Sequence, residues 1–500
     1  MVTYNKKIFF LFFLSFSVFQ LQSQVVKFAK VFGGTSFESP KCVKQTFDKG
    51  YIVAGSTSSF NAAVSDVYLV KLDSMGVVKW QNVIGTGNVE SGYYVIQTAD
   101  TGYAIAGYTN NSATGYDVYI IKTDKNGAVM WTKSIGGANW DFAYHIQQTA
   151  DLGYIIAGGT YSYGSGNEDG YLIKTDANGD TLWTKTFGGS YDEEFRSVKQ
   201  TTDGKYICAG TLKPSFGEKE NVYVVKANGS GGLLWSKSIG GSDSDIGYDI
   251  VQSAADGNYY VAGSTKNTGF SNNKWDVYFL KVSDSNGDSL LSEHYGTVPG
   301  NDEGYSICET ASGRIVIGGY LETDHTGGVG GGGKDFYVVS IDNLGGNYRG
   351  PTFGTFNDET GYGVDCTKDG GFVIVGETQG YPDKQSEILI LKTDSLGNDP
   401  GAFVVDNTVG IKDEKSNTEA IKIWMLEANN EIFLQVSDAI VSEKIKSIRI
   451  CDMLGRTVSD DVPAFKNKNS IELSPNLTQG LYMITIATAT NMYSHIFIKK

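Results

Sequence analysis

The chain has 500 residues, with 56 acidic against 41 basic side chains and a formal charge of -15, a balance that argues against nucleic acid or an anionic membrane surface as partner. Only 19% of residues are charged, while glycine contributes 63 and tyrosine 30, a composition that suits turn-rich β-structure with aromatic surfaces. Five cysteines without CxxC or other metal-ligand spacing read as mostly buried free thiols, Cys208 in an apolar run and Cys42 and Cys308 in alternating ones.

In chain order, the first element is Lys6-Lys7 followed by an apolar run from Ile8 to Phe19. This is the charged start and apolar middle of a secretory signal, too short to span a bilayer as a helix. Cleavage is expected near Ser23, which makes residues 1-23 the signal peptide and Gln24 the new first residue. No cysteine lies there, so no lipid anchor is expected. No later stretch is long and apolar enough for a transmembrane segment.

Next comes a phrase repeated seven times, beginning at Tyr51 (YIVAG), Tyr103, Tyr154, Tyr206, Tyr259, Arg314 and Phe372. Its closing glycines, from Gly55 to Gly376, are spaced by 52, 51, 52, 53, 55 and 58 residues. A period of this size signals a repeat architecture. One unit, Met130 to Asp176, holds four strand-length runs: a (Trp131 to Ile135), b (Tyr144 to Thr149), c (Tyr154 to Gly158) and d (Tyr171 to Thr175). Run b alternates, whereas c is almost wholly apolar, as a strand buried on both faces should be. An Asp-x-Gly turn joins b to c (Asp151/Gly153) and an Asp-x-x-Gly turn joins d to a (Asp176/Gly179), both hairpin chemistry. Four antiparallel strands, seven times over, predict an all-β chain whose residues 24-397 form a seven-bladed β-propeller. A parallel β-solenoid is the alternative. The apolar runs c and d belong in the middle of each blade, giving the order b-c-d-a with b near the axis. The orphan run Val26 to Phe32 should then complete the last blade and remove its open edge.

In this arrangement the a-b and c-d connections share one face, the one with variable loops, where binding is to be sought. Its aromatic residues include Tyr116, Trp140, Tyr161, Tyr163, Phe270 and Trp275. The binding residues chosen from them are Tyr161, Tyr163, Phe270 and Trp275, since exposed rings beside polar groups suit sugar or protein recognition. Packing between blades or over the central channel is the competing reading of the same rings. An acid recurs in the a-b links (Glu38, Glu90, Asp141, Asp192, Glu193, Asp245, Asp302, Asp358, Glu359) and at the starts of d (Asp66, Asp117, Asp169, Glu220, Asp276, Asp335, Glu387). Acids repeated in every unit are read as structural, capping loop amides or pairing with a neighbouring blade, because a catalytic pair should break the symmetry. No catalytic residue and no metal site is assigned, and no cofactor is expected. Asp176-Ala-Asn-Gly-Asp180 and Asp284-Ser-Asn-Gly-Asp288 look like truncated calcium loops but lack the distal bidentate acid, so the turn reading prevails. The largest departure from the repeat is the glycine-rich insertion from Glu322 to Lys334, with His325, read as a flexible loop and not a phosphate-binding one.

Residues 398-419 are a linker rich in Asp, Asn, Lys and Thr, and residues 420-500 hold short strands separated by turns, enough for a small C-terminal β-sandwich. The run Ile450-Cys-Asp452-Met-Leu-Gly455-Arg456-Thr-Val458, then Ile471-Glu-Leu473, then Leu477-Thr-Gln-Gly480-Leu-Tyr482, and the closing Lys499-Lys500, resemble the C-terminal sorting domain of type IX secretion cargo, the type A form found in Bacteroidetes. Met425-Leu-Glu427 stands where that family usually has Pro-Asn-Pro. The resemblance implies Asp452, Gly455, Arg456, Gly480, Tyr482 and Lys499 as motif residues, the type IX secretion machinery as partner, and a secreted or cell-surface location reached through the periplasm. The repeats themselves resemble a loose group of secreted bacterial propeller proteins, some carrying a glycoside-hydrolase-like label, but only in scaffold residues. The function expected is an exported binding or adhesion protein with a glycan or protein ligand. The alternative is a polysaccharide-acting enzyme on the same scaffold.

Overall fold

The computed structural model describes residues 26-60, 62, 64-111, 115-215, 219-266, 274-297, 300-322, 333-354, 358-379 and 386-398, and beyond these the strands at 404-405, 421-426, 431-436, 447-452, 457-461, 465-467, 470-473, 480-487 and 492-499. Seven antiparallel sheets follow one another as the blades of a propeller. The third is typical: Asp141–Gln148, Tyr154–Thr160, Asp169–Thr175 and Thr181–Phe187 lie side by side in chain order, which is the order b-c-d-a. Every residue of its two middle strands is buried, while the outer strand is mostly exposed. That gradient is why c and d are apolar throughout and a alternates.

The ring is closed by its own beginning. Phe28–Phe32 pairs antiparallel with Glu387–Thr393, with Phe28 opposite Lys392 and Phe32 opposite Ile388, as the orphan run required. A short strand from beyond the ring, Val404–Val405, then adds in parallel to Lys30 and Val31.

The repeat motif is explained by how neighbouring blades meet. The outer-strand tryptophan of one blade packs on the first aromatic residue of the next blade's phrase: Trp80 on Tyr103 at 5.7 Å, Trp131 on Tyr154 at 6.1 Å, Trp183 on Tyr206 at 6.0 Å and Trp235 on Tyr259 at 6.3 Å. At the closure Phe28 takes the tryptophan's place on Tyr51, at 5.5 Å. The glycine of the d-a turn is required twice over. Gly127, Gly179, Gly231 and Gly287 have φ between +76° and +83°, and a Cβ on any of them would stand 2.6 to 2.8 Å from the preceding blade's indole.

Within blades, a buried lysine of the third strand reaches the Asp-x-Gly turn. Lys71, Lys122, Lys174 and Lys392 pair with Asp48, Asp100, Asp151 and Asp369 at 3.0, 2.8, 2.9 and 3.1 Å. In the sixth blade Ser340 replaces the lysine, and Arg314, just before the second strand, compensates by donating to the Ser340 hydroxyl and carbonyl. Lys226 turns instead to Asp284, at 2.6 Å, so that carboxylate is engaged in an ion pair. Asp176 Oδ1 accepts the amides of Asn178 and Asp180, at 2.9 and 2.8 Å. Both calcium-like sequences are therefore turn and ion-pair residues.

Between blades, the last residue of each inner strand accepts a hydrogen bond from the preceding blade's b-c turn. Gln97 accepts from Phe47 N, Gln148 from Ala99 N, Gln200 from Ala150 N, Gln252 from Thr202 N, Glu309 from Ala254 N and Gln45 from Lys368 N. The seventh member of this series is Cys366, and it is bonded to Cys308 in a disulfide that joins the sixth and seventh blades. The expectation of mostly free thiols is corrected here: Cys42 and Cys208 are free and buried, Cys308 and Cys366 are not. A glutamine-to-cysteine change in a repeated position, met by a second cysteine one inner strand away, is the signal that reading the cysteines singly overlooked. The pairing suits an oxidising compartment.

The C-terminal segment contributes two four-stranded sheets, one of Ile421–Leu426, Glu431–Val436, Ser470–Leu473 and Phe465–Asn467, the other of Thr457–Asp461, Ser447–Asp452, Gly480–Ala487 and Met492–Lys499.

Candidate functional site

The seven inner strands share one irregularity. Each carries a β-bulge at the third residue after its first acid, and the bulged residues are Lys41, Tyr93, Tyr144, Arg196, Tyr248, Tyr305 and Tyr362. A bulge re-aims its side chain. Here it sends seven of them to the lining of one cavity of about 320 Å³ on the propeller axis. They touch in blade order: Tyr93 to Tyr144 at 5.2 Å, the Arg196 guanidinium over Tyr144 at 4.6 Å and over Tyr248 at 5.8 Å, Tyr248 to Tyr305 at 4.8 Å, Tyr305 to Tyr362 at 5.7 Å, and Lys41 over Tyr362 at 3.9 Å. The result is an aromatic collar with two cations set into it.

The next residues along the strands form a deeper tier. His145 Nε2 lies 2.7 Å from the Lys199 ammonium, which can only donate, so Nε2 accepts and the ring proton sits on Nδ1. Burial, with Lys199 and Lys44 close by, drives the His145 pKa well below its ordinary value and keeps the ring neutral. Asp249 is saturated: it accepts from Ser197 Oγ at 2.7 Å, Ser306 Oγ at 3.2 Å and the Ile307 amide at 3.1 Å, and pairs with Lys199 at 3.6 Å. Lys44 pairs with Asp365 at 3.2 Å.

Three glutamates break the sevenfold pattern near this collar. Glu194 holds Arg196 at 2.6 Å, Glu303 accepts from Tyr320 at 2.7 Å, and Glu377 accepts from Ser39 and stands 3.9 Å from Lys41. Burial lowers the Arg196 pKa, but Glu194 and the neighbouring tyrosines more than offset it. Glu168 accepts from the Tyr161 hydroxyl at 2.9 Å; burial, then the nearby Glu194 carboxylate, push its pKa up to about 7.

Aromatic contacts also climb from the collar to the loops. Tyr144 stacks on Phe142 at 6.3 Å, Phe142 meets Trp140 at 6.4 Å, and Trp140 meets Tyr161 at 6.2 Å. Tyr161 and Tyr163 are exposed, at 39% and 46%, and Tyr163 donates to the Gly136 carbonyl. Trp275 sits apart, half-buried at the junction of the fifth and sixth blades, with Lys266 4.5 Å above its ring. Phe270 and the insertion around His325 lie outside the described residues. The structure thus places Tyr161 on an aromatic slope leading to the axis. The collar itself was missed by sequence reasoning. Its signal is a tyrosine three residues after the repeated acid in five of seven units, as in Asp302-Glu-Gly-Tyr305.

The repeated acids act at blade junctions. Asp141 accepts from the Gly137 amide, Glu193 from Gly189, Asp245 from Gly241 and Asp302 from Thr297, the loop-capping role expected of them. Several also face the third-strand acid of the preceding blade, as in Asp66 with Glu90 and Asp276 with Asp302. At one junction Asn221 stands at the position of that acid, and it and Asp245 both lie beside Gly240. An amide at that position is able to donate as a protonated carboxyl would, a replacement consistent with a shared proton in the acid pairs. Asp66 Oδ1 and Glu90 Oε2 are both buried with no other partner. Burial, then Glu90, raise the Asp66 pKa, and burial, with Asp276 adding to it, pushes Asp302 up to about 7. Groups raised above their unfolded values stabilise the fold fully below the ordinary carboxyl range and lose that contribution as pH rises through the folded pKa. The ring should therefore melt higher at pH 5 than at pH 8. Asp66→Asn should raise the pH 8 melting temperature by a few degrees and leave the pH 5 value unchanged. A variant destabilised equally at both pH values would exclude the shared proton.

In the C-terminal segment, Asp452 lies opposite Tyr482 and Gly480 opposite Lys499 in one sheet, so four of the six motif positions meet in register. Gly455 and Arg456 lie outside the described residues.

Residues 428–500 match the family of secretion system C-terminal sorting domains. The chain therefore carries a type IX secretion sorting tail behind a seven-bladed propeller, and it is exported to the cell surface or secreted. No helix among the described residues is long and apolar enough to cross a membrane. Among curated proteins it is similar to the regulatory protein FlaEY of Caulobacter vibrioides, 27% identical over 202 residues, which are 35% of this chain and 21% of that protein. Solved structures similar to it include a puromycin hydrolase (TM-score 0.48, 13% identity, 81% of this chain and 60% of that one). PorZ, a surface component of the type IX secretion system of Porphyromonas gingivalis, is another (TM-score 0.39, 11% identity, 90% and 64%). Sqt1 from Chaetomium thermophilum is a third (TM-score 0.41, 11% identity, 81% and 95%). The chain spans about a fifth of that curated relative and less than two thirds of the first two structures.

Proposed function

We propose that the propeller, residues 24-397, is an exported binding module that takes a glycan into the axial cavity, with residues 420-500 serving only to sort it. The observation that carries this reading is the collar of five tyrosines at equivalent bulges. A rigid ring of amphipathic rings, each with an apolar face and a hydroxyl, suits the alternating apolar and polar surface of a sugar. The cavity lies at the lower end of the size range of small-ligand sites. Tyr161 and Tyr163 extend the surface outward for a longer chain, and Trp275 is a separate contact at a neighbouring junction.

A second reading, polysaccharide cleavage, is favoured by one observation. Glu168, a carboxyl titrating near neutrality, stands beside Glu194 where the repeat symmetry is broken. Such a pair could divide acid and base roles.

A glycan panel screened against the purified propeller, read for both retention and release of reducing ends, tests both. The binding reading expects retention without cleavage, and at least a tenfold loss of affinity in Tyr248→Ala. Full affinity in that variant would take the ligand away from the axis. Cleavage abolished by Glu168→Gln would favour the enzyme.

A further inference from the structure

Resting on the binding reading above, we infer that the axial cavity selects saccharides bearing a carboxylate, held between Lys41, Arg196 and the Nδ1–H of His145.

The lining contains two cations and one acid. The acid, Asp249, has no capacity to spare, since Ser197, Ser306, the Ile307 amide and Lys199 already occupy it. The cations are less committed. Glu194 engages Arg196 through Nε and one terminal nitrogen, leaving the second terminal nitrogen of the fork with two further donors. Lys41 is loosely paired, 3.9 Å from Glu377, and Glu377 also accepts from Ser39.

His145 supplies the independent observation. It is only 2% exposed, it lines the cavity, and its Nδ1 has no hydrogen-bond partner. Lys199 fixes the tautomer so that this nitrogen is a donor. A buried donor left unmatched is destabilising, so an acceptor is the group that would satisfy it. Lys44 and Lys199, just below, add positive potential to the same space, although Asp365 and Asp249 partly balance them.

The glutamates near the collar do not reverse this balance. Glu194, Glu303 and Glu377 are each engaged, by Arg196, Tyr320 and Ser39 respectively. A free carboxylate would satisfy the donors alone. The tyrosine faces around them argue for a ring attached to it, which makes an acidic sugar a better fit than a simple anion.

The test is calorimetric titration of the whole chain at one fixed physiological salt concentration. The probes are galacturonate, glucuronate and sialic-acid-ended oligosaccharides, their neutral counterparts, and acetate. The expected result is at least tenfold tighter binding of one acidic oligosaccharide than of its neutral counterpart, with that advantage lost in Lys41→Gln and in Arg196→Gln. The acidic-to-neutral comparison on the unaltered protein stands even if a variant fails to fold. Equal affinity for acidic and neutral sugars would overturn the selectivity and leave the binding reading standing. Acetate binding as tightly as the sugar acid would reduce the site to a simple anion site and overturn the inference. Binding of no saccharide at all would overturn both.

Discussion

A propeller lacking residues 26–32 is expected to lose its cooperative melting transition entirely, not to fray at one end. The deleted strand provides the outer edge of the seventh blade along its whole length, from Phe28 opposite Lys392 to Phe32 opposite Ile388. It also provides Phe28, which stands on Tyr51 of the first blade. Phe28, Val31 and Phe32 are all buried, at 7%, 0% and 1% exposure. Burying three such side chains is worth roughly 5–9 kcal/mol, comparable to the entire stability of an ordinary domain. Removing them also exposes unpaired ladder groups of Glu387–Thr393. Urea unfolding of the deletion variant measures this directly. Addition of the missing strand as a synthetic peptide should restore part of the transition. A midpoint equal to that of the intact protein would mean that the ring closes by other contacts.

The second large effect is expected at the junction of the sixth and seventh blades. Replacing both Cys308 and Cys366 by alanine should cost about 4 kcal/mol, because the bond closes a loop of 58 residues in the unfolded chain. In a ring of this size that corresponds to a fall in melting temperature of about 5 °C. The comparison that isolates the cause is Gln148→Ala at another junction. There the bond from Ala99 N and an exposed one to the Leu152 carbonyl are lost, together worth about 1–2 kcal/mol. Combining Cys366→Gln with Cys308→Val should recover a fraction of the loss by restoring the latch used elsewhere. Scanning calorimetry on the three variants measures all of these differences. If the double alanine variant melts within a degree of the parent, the disulfide adds nothing that packing does not already supply.

Much of the architecture could be read from spacing alone because each blade repeats the same physical requirements. Asp-x-Gly and Asp-x-x-Gly mark turns whose amides need an acceptor and whose glycine needs positive φ. The phrase beginning at Tyr154 is apolar because both faces of that strand are covered. The orphan run at Phe28 could be assigned to the last blade because an open edge would otherwise remain. The candidate site was harder to see because it depends on a departure from regular alternation. With strict alternation, Tyr144 and His145 would point to opposite faces, and only the bulge between Ala143 and His145 brings both to the cavity. The same holds for Tyr248 and Asp249. Likewise the junction carboxyls could be recognised as structural from their repetition. That they come in facing pairs depends on contacts between blades, which no single repeat contains. The chosen rim residues fared unevenly for a related reason: Tyr161 leads toward the axis through Trp140 and Phe142, while Trp275 occupies a junction of its own.

The closure of the ring by Phe28–Phe32 also sets an order of events for a chain synthesised from its N-terminus. The strand that finishes the structure is the first to emerge, and it must wait while nearly the whole ring is delivered before Glu387–Thr393 arrives. During that interval the growing chain holds a short apolar segment with no permanent partner. Completion is then abrupt, since the last arriving strand docks and the waiting one is captured beside it. Val404–Val405 lies along the opposite side of the captured strand, so the chain sets out toward its sorting tail from the seam that has just sealed. Such an arrangement links the readiness of the cargo to the place from which its export signal extends.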